Sequence, residues 1–368
     1  MRKICFTLLM ILPIMLTGCW DQRLLVNRTL VNGVSYDLTE DGKITAAVRA
    51  LHIQSKGGGL FEIQDELVGA KRPTIVGLGL DLDSTIPGEL DASKAHVIII
   101  GEDLAKKGIH PFMEFYYRNR DSYLSSKIVI GKGTGKEILS VEKEKSPIAF
   151  AILQLLESAE SDTVIPKKNT FIVWNNILDP GKDMLLPYLE RTAADKVDVA
   201  GVALFNGDKY TGKSISKDKS GLLLSLMNQL SKNNRMALII GSEKNGRSIS
   251  FSTRDISRNL EVQVTQDEKI TCKIDLKMNI EVISYPQDFK NEINIKKINQ
   301  DLSEEFTKKA KEITDTLLKA NCDAFGIGRQ ISSYHPELWN KINWDQEYKN
   351  VQIEPVVKVN IIKTGNVF

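Results

Sequence analysis

Ile270-Thr271-Cys272-Lys273-Ile274-Asp275-Leu276-Lys277-Met278-Asn279-Ile280-Glu281-Val282 is the stretch from which the fold can be read. Apolar side chains take every second position and polar ones fall between them, the period of a β-strand with one buried face. Such a face needs a cover, and the next periodic segment supplies it. Ile295, Ile298, Leu302, Phe306, Ala310, Ile313 and Leu317 recur at three- and four-residue spacing, the stripe of an amphipathic helix. Ser303-Glu304-Glu305 precedes Lys308-Lys309, and acid before base at i,i+4 spacing supports a helix. Cys322-Asp323-Ala324-Phe325-Gly326 ends that helix, and Val357, Val359 and Ile361 form a closing strand. The expectation for residues 257–368 is one long amphipathic helix packed on an antiparallel sheet.

Upstream, Val199-Ala200-Gly201-Val202-Ala203-Leu204-Phe205 reads as a strand and Asn206-Gly207-Asp208 as a tight turn. Lys217–Leu230 reads as a helix with Leu222, Leu223, Leu226 and Leu230 on one face, and Met236–Gly241 as a returning strand. This is a middle α/β unit, residues 197–256. The N-terminal region, residues 19–196, opens on a β-hairpin: Leu30 to Leu38, a turn at Thr39-Glu40-Asp41-Gly42, and Ile44 to Ile53 alternating back. Ser55-Lys56-Gly57-Gly58-Gly59 has the composition of a flexible loop. A buried strand at Ala95–Gly101, short helices at Asp103–Lys107 and His110–Tyr117, a strand at Ser126–Gly131 and a helix at Pro147–Ala159 follow. The order suggests α+β or α/β layering, with α+β the class expected.

The first 18 residues stand outside this pattern. Arg2 and Lys3 form a basic start, Ile4 to Met15 an apolar core, and Leu16-Thr17-Gly18-Cys19 follows. That is a secretory signal peptide, too short for a comfortable membrane-spanning helix. A small residue abutting cysteine is the bacterial lipobox, in which the thiol takes a diacylglyceryl group and cleavage precedes it. Cys19 is therefore the expected lipidation site and the start of the mature chain. Its diacylglyceryl group, with or without an N-acyl chain, is the sole non-protein group expected. Two acyl chains, at about 0.8 kcal/mol per buried methylene, hold a protein on a bilayer that one chain would only visit.

Elsewhere no apolar stretch approaches the roughly 18 residues of a spanning helix. Without Arg2 and Lys3, basic residues equal the 47 acidic ones, a balance that argues against a nucleic-acid footprint or a polybasic membrane patch. Cys272 and Cys322 could pair in an oxidising space but are too few for a disulfide framework; two separate buried thiols is the commoner arrangement.

Gly131-Lys132-Gly133-Thr134-Gly135-Lys136-Glu137 looks like a phosphate loop but fails on spacing, and Glu137 stands where a magnesium-binding hydroxyl belongs. It is better read as a strand-to-helix turn with solvated lysines. His52, His96, His110 and His335 lie far apart, and none has a partner at metal-ligand spacing. No Gly-x-Ser-x-Gly nucleophile elbow occurs. Trp174, Trp339 and Trp344 are candidates for lining a ligand pocket, though core packing is the commoner role. No catalytic or metal-binding residue is assigned, and the chain reads as a non-enzyme.

The residues set out above resemble the Ger(x)C spore-germination lipoproteins, the C subunits of nutrient germinant receptors. Gly18-Cys19-Trp20-Asp21 with Arg23, Gly33 and Asp37 carries the first block of the resemblance. Ala95 to Ile109 and Arg118-Asn119-Arg120-Asp121 carry the second. Gly201 to Phe205, Gly212, Gly221, Asp323-Ala324-Phe325-Gly326-Ile327-Gly328, Pro336, Trp339, Trp344 and Val357-Lys358-Val359 carry the rest. The chain departs from the pattern at Leu24 and Val26, and the basic pair before the central strand is reduced to Lys94. The resemblance implies an α+β fold of three mixed α/β domains and a non-enzymatic, lipid-anchored subunit on the outer face of the inner spore membrane. Its implied partners are two polytopic subunits, A-type and B-type, in a complex that responds to a small nutrient germinant, with direct and indirect contact to that germinant both left open. The competing expectation is a lipid-anchored solute-binding protein that delivers a small ligand to a transporter, which calls for two similar lobes.

Overall fold

The computed structural model describes residues 28–364, apart from 59, 119–122, 143–145, 232–233, 241–246 and 285–294. Among the described residues the strands form two sheets. The first contains β1 (Arg28–Leu38), β2 (Ile44–Gly57), β3 (Leu60–Arg72), β4 (Glu89–Asp91), β5 (Val97–Gly101), β6 (Lys127–Gly131), β7 (Leu185–Ala193), β8 (Lys196–Asn206) and β9 (Lys209–Ser216). Their spatial order is β3-β2-β1-β5-β6-β7-β8-β9, with β4 beside β1. The four central strands β1, β5, β6 and β7 run parallel, and antiparallel pairs close both ends.

Parallel strands in the middle of a sheet are covered on both faces, and so read as continuous apolar runs. Val97-Ile98-Ile99-Ile100 is such a run, fully buried throughout. Ile98 and Ile100 join the core beneath α1 (Ile75–Thr85), α2 (Glu102–Lys107) and α3 (His110–Arg118), which contribute Leu78, Leu104 and Met113. Val97 and Ile99 join the opposite core, where α4 (Gly135–Leu139) and α5 (Ile148–Ser161) supply Leu139 and Ile152. Two further helices flank the sheet, α6 (Thr170–Ile177) and α7 (Lys217–Leu226).

The second sheet is β10 (Arg235–Ile240), β11 (Arg247–Val264), β12 (Ile270–Ser284) and β13 (Gln352–Lys363), in that order. The alternation in β12 is realised: Cys272, Ile274, Leu276, Met278, Ile280 and Val282 are buried. Against them lies α8 (Ile295–Ala320), burying Ile298, Leu302, Phe306, Ala310, Ile313 and Leu317. Phe306 meets Phe251 edge-on, with ring centroids 5.6 Å apart. Ile295, at the start of the stripe, is exposed.

Helix on sheet is thus the C-terminal architecture, with one departure from the expected antiparallel arrangement. β10, β11 and β12 pair antiparallel, whereas β13 runs parallel to β12. The reason is the return path. A 26-residue helix, about 39 Å long at 1.5 Å per residue, carries the chain back along the sheet before β13 begins. One polar row of α8 then closes the edge of β13. The backbone N–H groups of Val357, Val359 and Ile361 donate to Thr307 Oγ1, Ser303 Oγ and Asn299 Oδ1 at 2.9–3.0 Å. An edge strand so occupied is not a free template for strand addition.

Residues 197–256, set apart as a middle unit on the sequence, contribute β8 and β9 to the first sheet and β10 and the first half of β11 to the second. The stretch Ser55–Gly59, expected as a loop, is largely strand, with β2 reaching Gly57 before the turn into β3.

Candidate functional site

The strand-to-helix turn that imitates a phosphate loop is already filled. Between β6 and α4, Gly135 N–H donates to Asp37 Oδ1 at 2.6 Å and Lys136 N–H to Asp37 Oδ2 at 2.9 Å. Gly133 N–H donates to Glu102 Oε2 at 2.9 Å. Backbone amides that would cradle a phosphate are held by two of the chain's own carboxylates. Lys132 and Lys136 point to solvent, as expected, and Lys132 pairs with Glu190 at 2.8 Å. Burial pushes the Asp37 carboxyl up, and the two amides pull it back.

A second carboxylate centre joins the two sheets. Asp323 accepts from the backbone N–H groups of Gly326, Ile327 and Gly328 at 2.7–2.9 Å and from Trp344 Nε1 at 3.2 Å. Those amides open α9 (Ile327–Tyr334). Asp323 N–H donates to Asp183 Oδ2 at 2.7 Å, Asp183 N–H donates to Asp323 O at 2.9 Å, and Gly207 N–H donates to Asp183 Oδ1 at 2.7 Å. Arg329 N–H reaches Gly181 O at 2.8 Å, and its guanidinium pairs with Asp179. The loop before β7 and the segment after α8 are therefore laced together. Burial pushes Asp183 up to about 6 and Asp323 up to about 7, against the pull of their amide donors.

The glycines of this lock are required by contact. A Cβ on Gly328 would collide with the Trp344 indole, and one on Gly181, whose φ is +76°, would sit 2.6 Å from Arg329 N. Cys272 and Cys322 lie nearby as buried, unbonded thiols, with Cys272 pushed up to about 12 by burial.

Beside the lock is a cavity of about 370 Å³. Lys168 and Asn176 line it from the start and end of the α6 region, Lys182 and Asp183 from the locking loop, and Leu224 and Ser231 from α7 and the turn beyond. Lys168 Nζ donates to Asn176 Oδ1 at 2.5 Å. Burial, then the neighbouring Lys182, pushes the Lys168 amine down to about 8. Burial also lowers Lys182, followed by the charge of Arg258.

Of the tryptophans, Trp344 donates to Asp323 and packs 5.9 Å from Trp339. Trp174 stacks on Tyr117 at 4.9 Å. His96 packs on Phe150 and His110 on Trp174. Among the described residues no three His, Cys, Asp or Glu side chains are placed to hold a metal ion. Cys19, the expected lipidation site, lies outside the described residues, as do Asn119, Arg120 and Asp121.

Sequence reasoning did not single out Asp183, Lys168 or Lys182. Asp179-Pro180-Gly181 is a legible turn signal, but Asp183 meets its partner 140 positions downstream. Nothing local announces that pairing.

Comparison with known proteins decides the family. The family model described as spore germination protein N-terminal domain matches residues 21–191, and that described as spore germination B3/GerAC like, C-terminal, matches residues 200–365. The chain belongs to the GerAC family of spore germination proteins. Among GerAC-type relatives, spore germination protein GerQC of Bacillus cereus is 26% identical, aligned across 97% of this chain and 98% of its own length. Spore germination protein KC of Bacillus subtilis (strain 168) is 21% identical, across 99% of this chain and 96% of its own. The crystal structure of the GerBC protein superposes with a TM-score of 0.58 at 15% identity, over 93% of this chain and all of that one. That likeness shows the shared fold. The two GerAC models meet in the β7–β8 hairpin, across which the first sheet is continuous.

Proposed function

We propose that this chain is the lipid-anchored, non-enzymatic subunit of a spore germinant receptor, needed for nutrient-triggered germination through assembly with polytopic A-type and B-type membrane subunits. The observation that carries the reading is the pair of family matches running in order from residue 21 to residue 365. The lipobox cysteine, Cys19, stands two residues before the first of them. An acylated Cys19 would tether the folded part on the outer face of the inner spore membrane. No helix among the described residues is long and apolar enough to cross a membrane, so the tether is the attachment this reading relies on. Asp37, Glu102, Asp183 and Asp323, the carboxylates that resemble site residues, are occupied by the chain's own N–H and O–H donors. They serve to hold a rigid assembly surface, and no catalytic role is given to them.

The solute-binding alternative asks for two similar lobes around a hinge. A nine-stranded mixed sheet and a four-stranded sheet under a single long helix are unlike, which favours the receptor reading. The test is affinity capture of the tagged chain from gently solubilised dormant-spore membranes. Two polytopic proteins in comparable amounts are expected. Recovery of the chain alone would refute assembly as its role.

A further inference from the structure

Lys168 and Lys182 line one cavity; Lys168 is held by Asn176, and Lys182 feels the opposing charges of Arg258 and Asp323, with no ion pair to a carboxylate among the described residues. Long basic side chains at a surface ordinarily send their charge into water and bury only their stems. Here the stem of Lys182 lies along Gly326, whose φ of +74° and missing side chain leave room for it. Lys168 is tied inward by Asn176. Asp183 shares the cavity, but both its oxygens are committed to the backbone of Gly207 and Asp323. Two half-buried ammonium groups that repel each other, with donors to spare, form an arrangement that an anion would relieve.

We propose that this cavity is a binding site for a small organic carboxylate, held by Lys168 and Lys182. Its size sits at the lower end of the ~300–1,000 Å³ range of small-molecule pockets, which suits a small ligand. Ile165, Ile172, Leu224 and Met227 supply apolar wall beside the two charges, suited to a ligand with a short hydrocarbon body and not to a bare inorganic ion. The walls come from α6, the 181–185 loop, and α7 with the turn beyond it, all flanking the first sheet. Lys168 and Lys182 act as charge and hydrogen-bond donors, and Ser231 and Asn176 give the remaining polar contacts. The proposal is independent of receptor assembly, because the cavity is formed within one chain.

The test is calorimetric titration and thermal melting of the full-length chain in detergent, using acetate, butyrate and succinate against sodium chloride of matched ionic strength. Saturable binding of at least one carboxylate is expected. Lys168→Met and Lys182→Met should each weaken it by about tenfold or more, since each removes a charge-assisted hydrogen bond, and the double variant should abolish it. Without ligand the double variant should melt no lower than the parent, because it loses like-charge repulsion. Lack of saturable binding by all three carboxylates would overturn the proposal. So would binding untouched by the double variant, or a ligand-free melting temperature that falls sharply in it, which would make the lysines structural counter-ions of the lock. Saturation by an acidic peptide with none by the free carboxylates would assign the cavity to a protein partner and likewise overturn it.

Discussion

Replacing Phe306 tests whether the stripe of α8 is core or docking face. Phe306 is 2% exposed and meets Phe251 edge-on. Removing its ring as Phe306→Ala should cost about 3–5 kcal/mol in lost transfer energy and residual cavity. Phe306→Leu keeps most of the volume and should cost less than about 1.5 kcal/mol. Phe306→Asp adds a carboxyl with no donor in place for it. Keeping that group protonated at pH 7, against an ordinary value near 3.9, costs about 4 kcal/mol more at 1.36 kcal/mol per unit. The sum of about 7–9 kcal/mol is comparable to the whole stability of a typical domain, ~5–15 kcal/mol. The assay is thermal melting by circular dichroism with hydrogen exchange read across residues 295–320. At about 2–4 °C per kcal/mol for a unit of this size, Phe306→Ala should fall by roughly 6–20 °C, and Phe306→Asp should lose protection throughout α8. A Phe306→Asp chain that melts within a few degrees of the parent would refute the reasoning. The apolar face of α8 would then not be spent on β12.

Cys19→Ala should leave the melting profile unchanged while moving the chain from the membrane to the soluble fraction; normal membrane retention would contradict the lipid anchor. Asp37→Ala should lower stability by about 2–4 kcal/mol, because the buried Gly135 N–H and its neighbour Lys136 N–H lose their acceptor. The parent chain should show no melting shift with nucleoside triphosphate, and a saturable shift would mean that the turn does bind phosphate. Lys168 titrates near pH 8 in the folded chain and near its usual 10.5 when unfolded. Between those values the unfolded chain holds a proton the folded chain has shed, so this group makes stability rise with pH across that window. Subtracting urea-denaturation curves of Lys168→Met from those of the parent at pH 8 and pH 10 should expose the rise. A flat difference would show that the amine is not desolvated.

Much of the fold was legible. The β12 alternation, the α8 stripe, the central β5 run and the opening hairpin each carry their own cover requirement in a local pattern, and each stands where the pattern placed it. The misses share a cause. β3 (Leu60–Arg72) lies on an edge of the first sheet and the polar first half of β11 on β12, so neither needed a long apolar run. Gly57 and Gly58 signalled flexibility, but Gly57 ends β2 and Gly58 lies in the turn that follows it. Of the site, Trp344 and the Asp323–Gly328 run were noticed, while their partner Asp183 and the lysines of the cavity were not.

By itself the sequence determined the membership that ordered blocks imply and the elements whose buried face repeats at a fixed period, while the lipid anchor at Cys19 stands as a proposal. Those are local properties: a side chain's spacing sets which neighbours share its face, whatever the rest of the chain does. Only the tertiary structure decided that β13 runs parallel to β12, that Asp37 fills a turn shaped for phosphate, and that Asp183 and Asp323 lock the sheets together. It also set Lys168 and Lys182 in one cavity. The Asp37 and Asp183–Asp323 contacts join residues remote in sequence through single polar groups that leave no periodic trace, and the direction of β13 depends on the return path of α8, so only the folded path of the chain decides them.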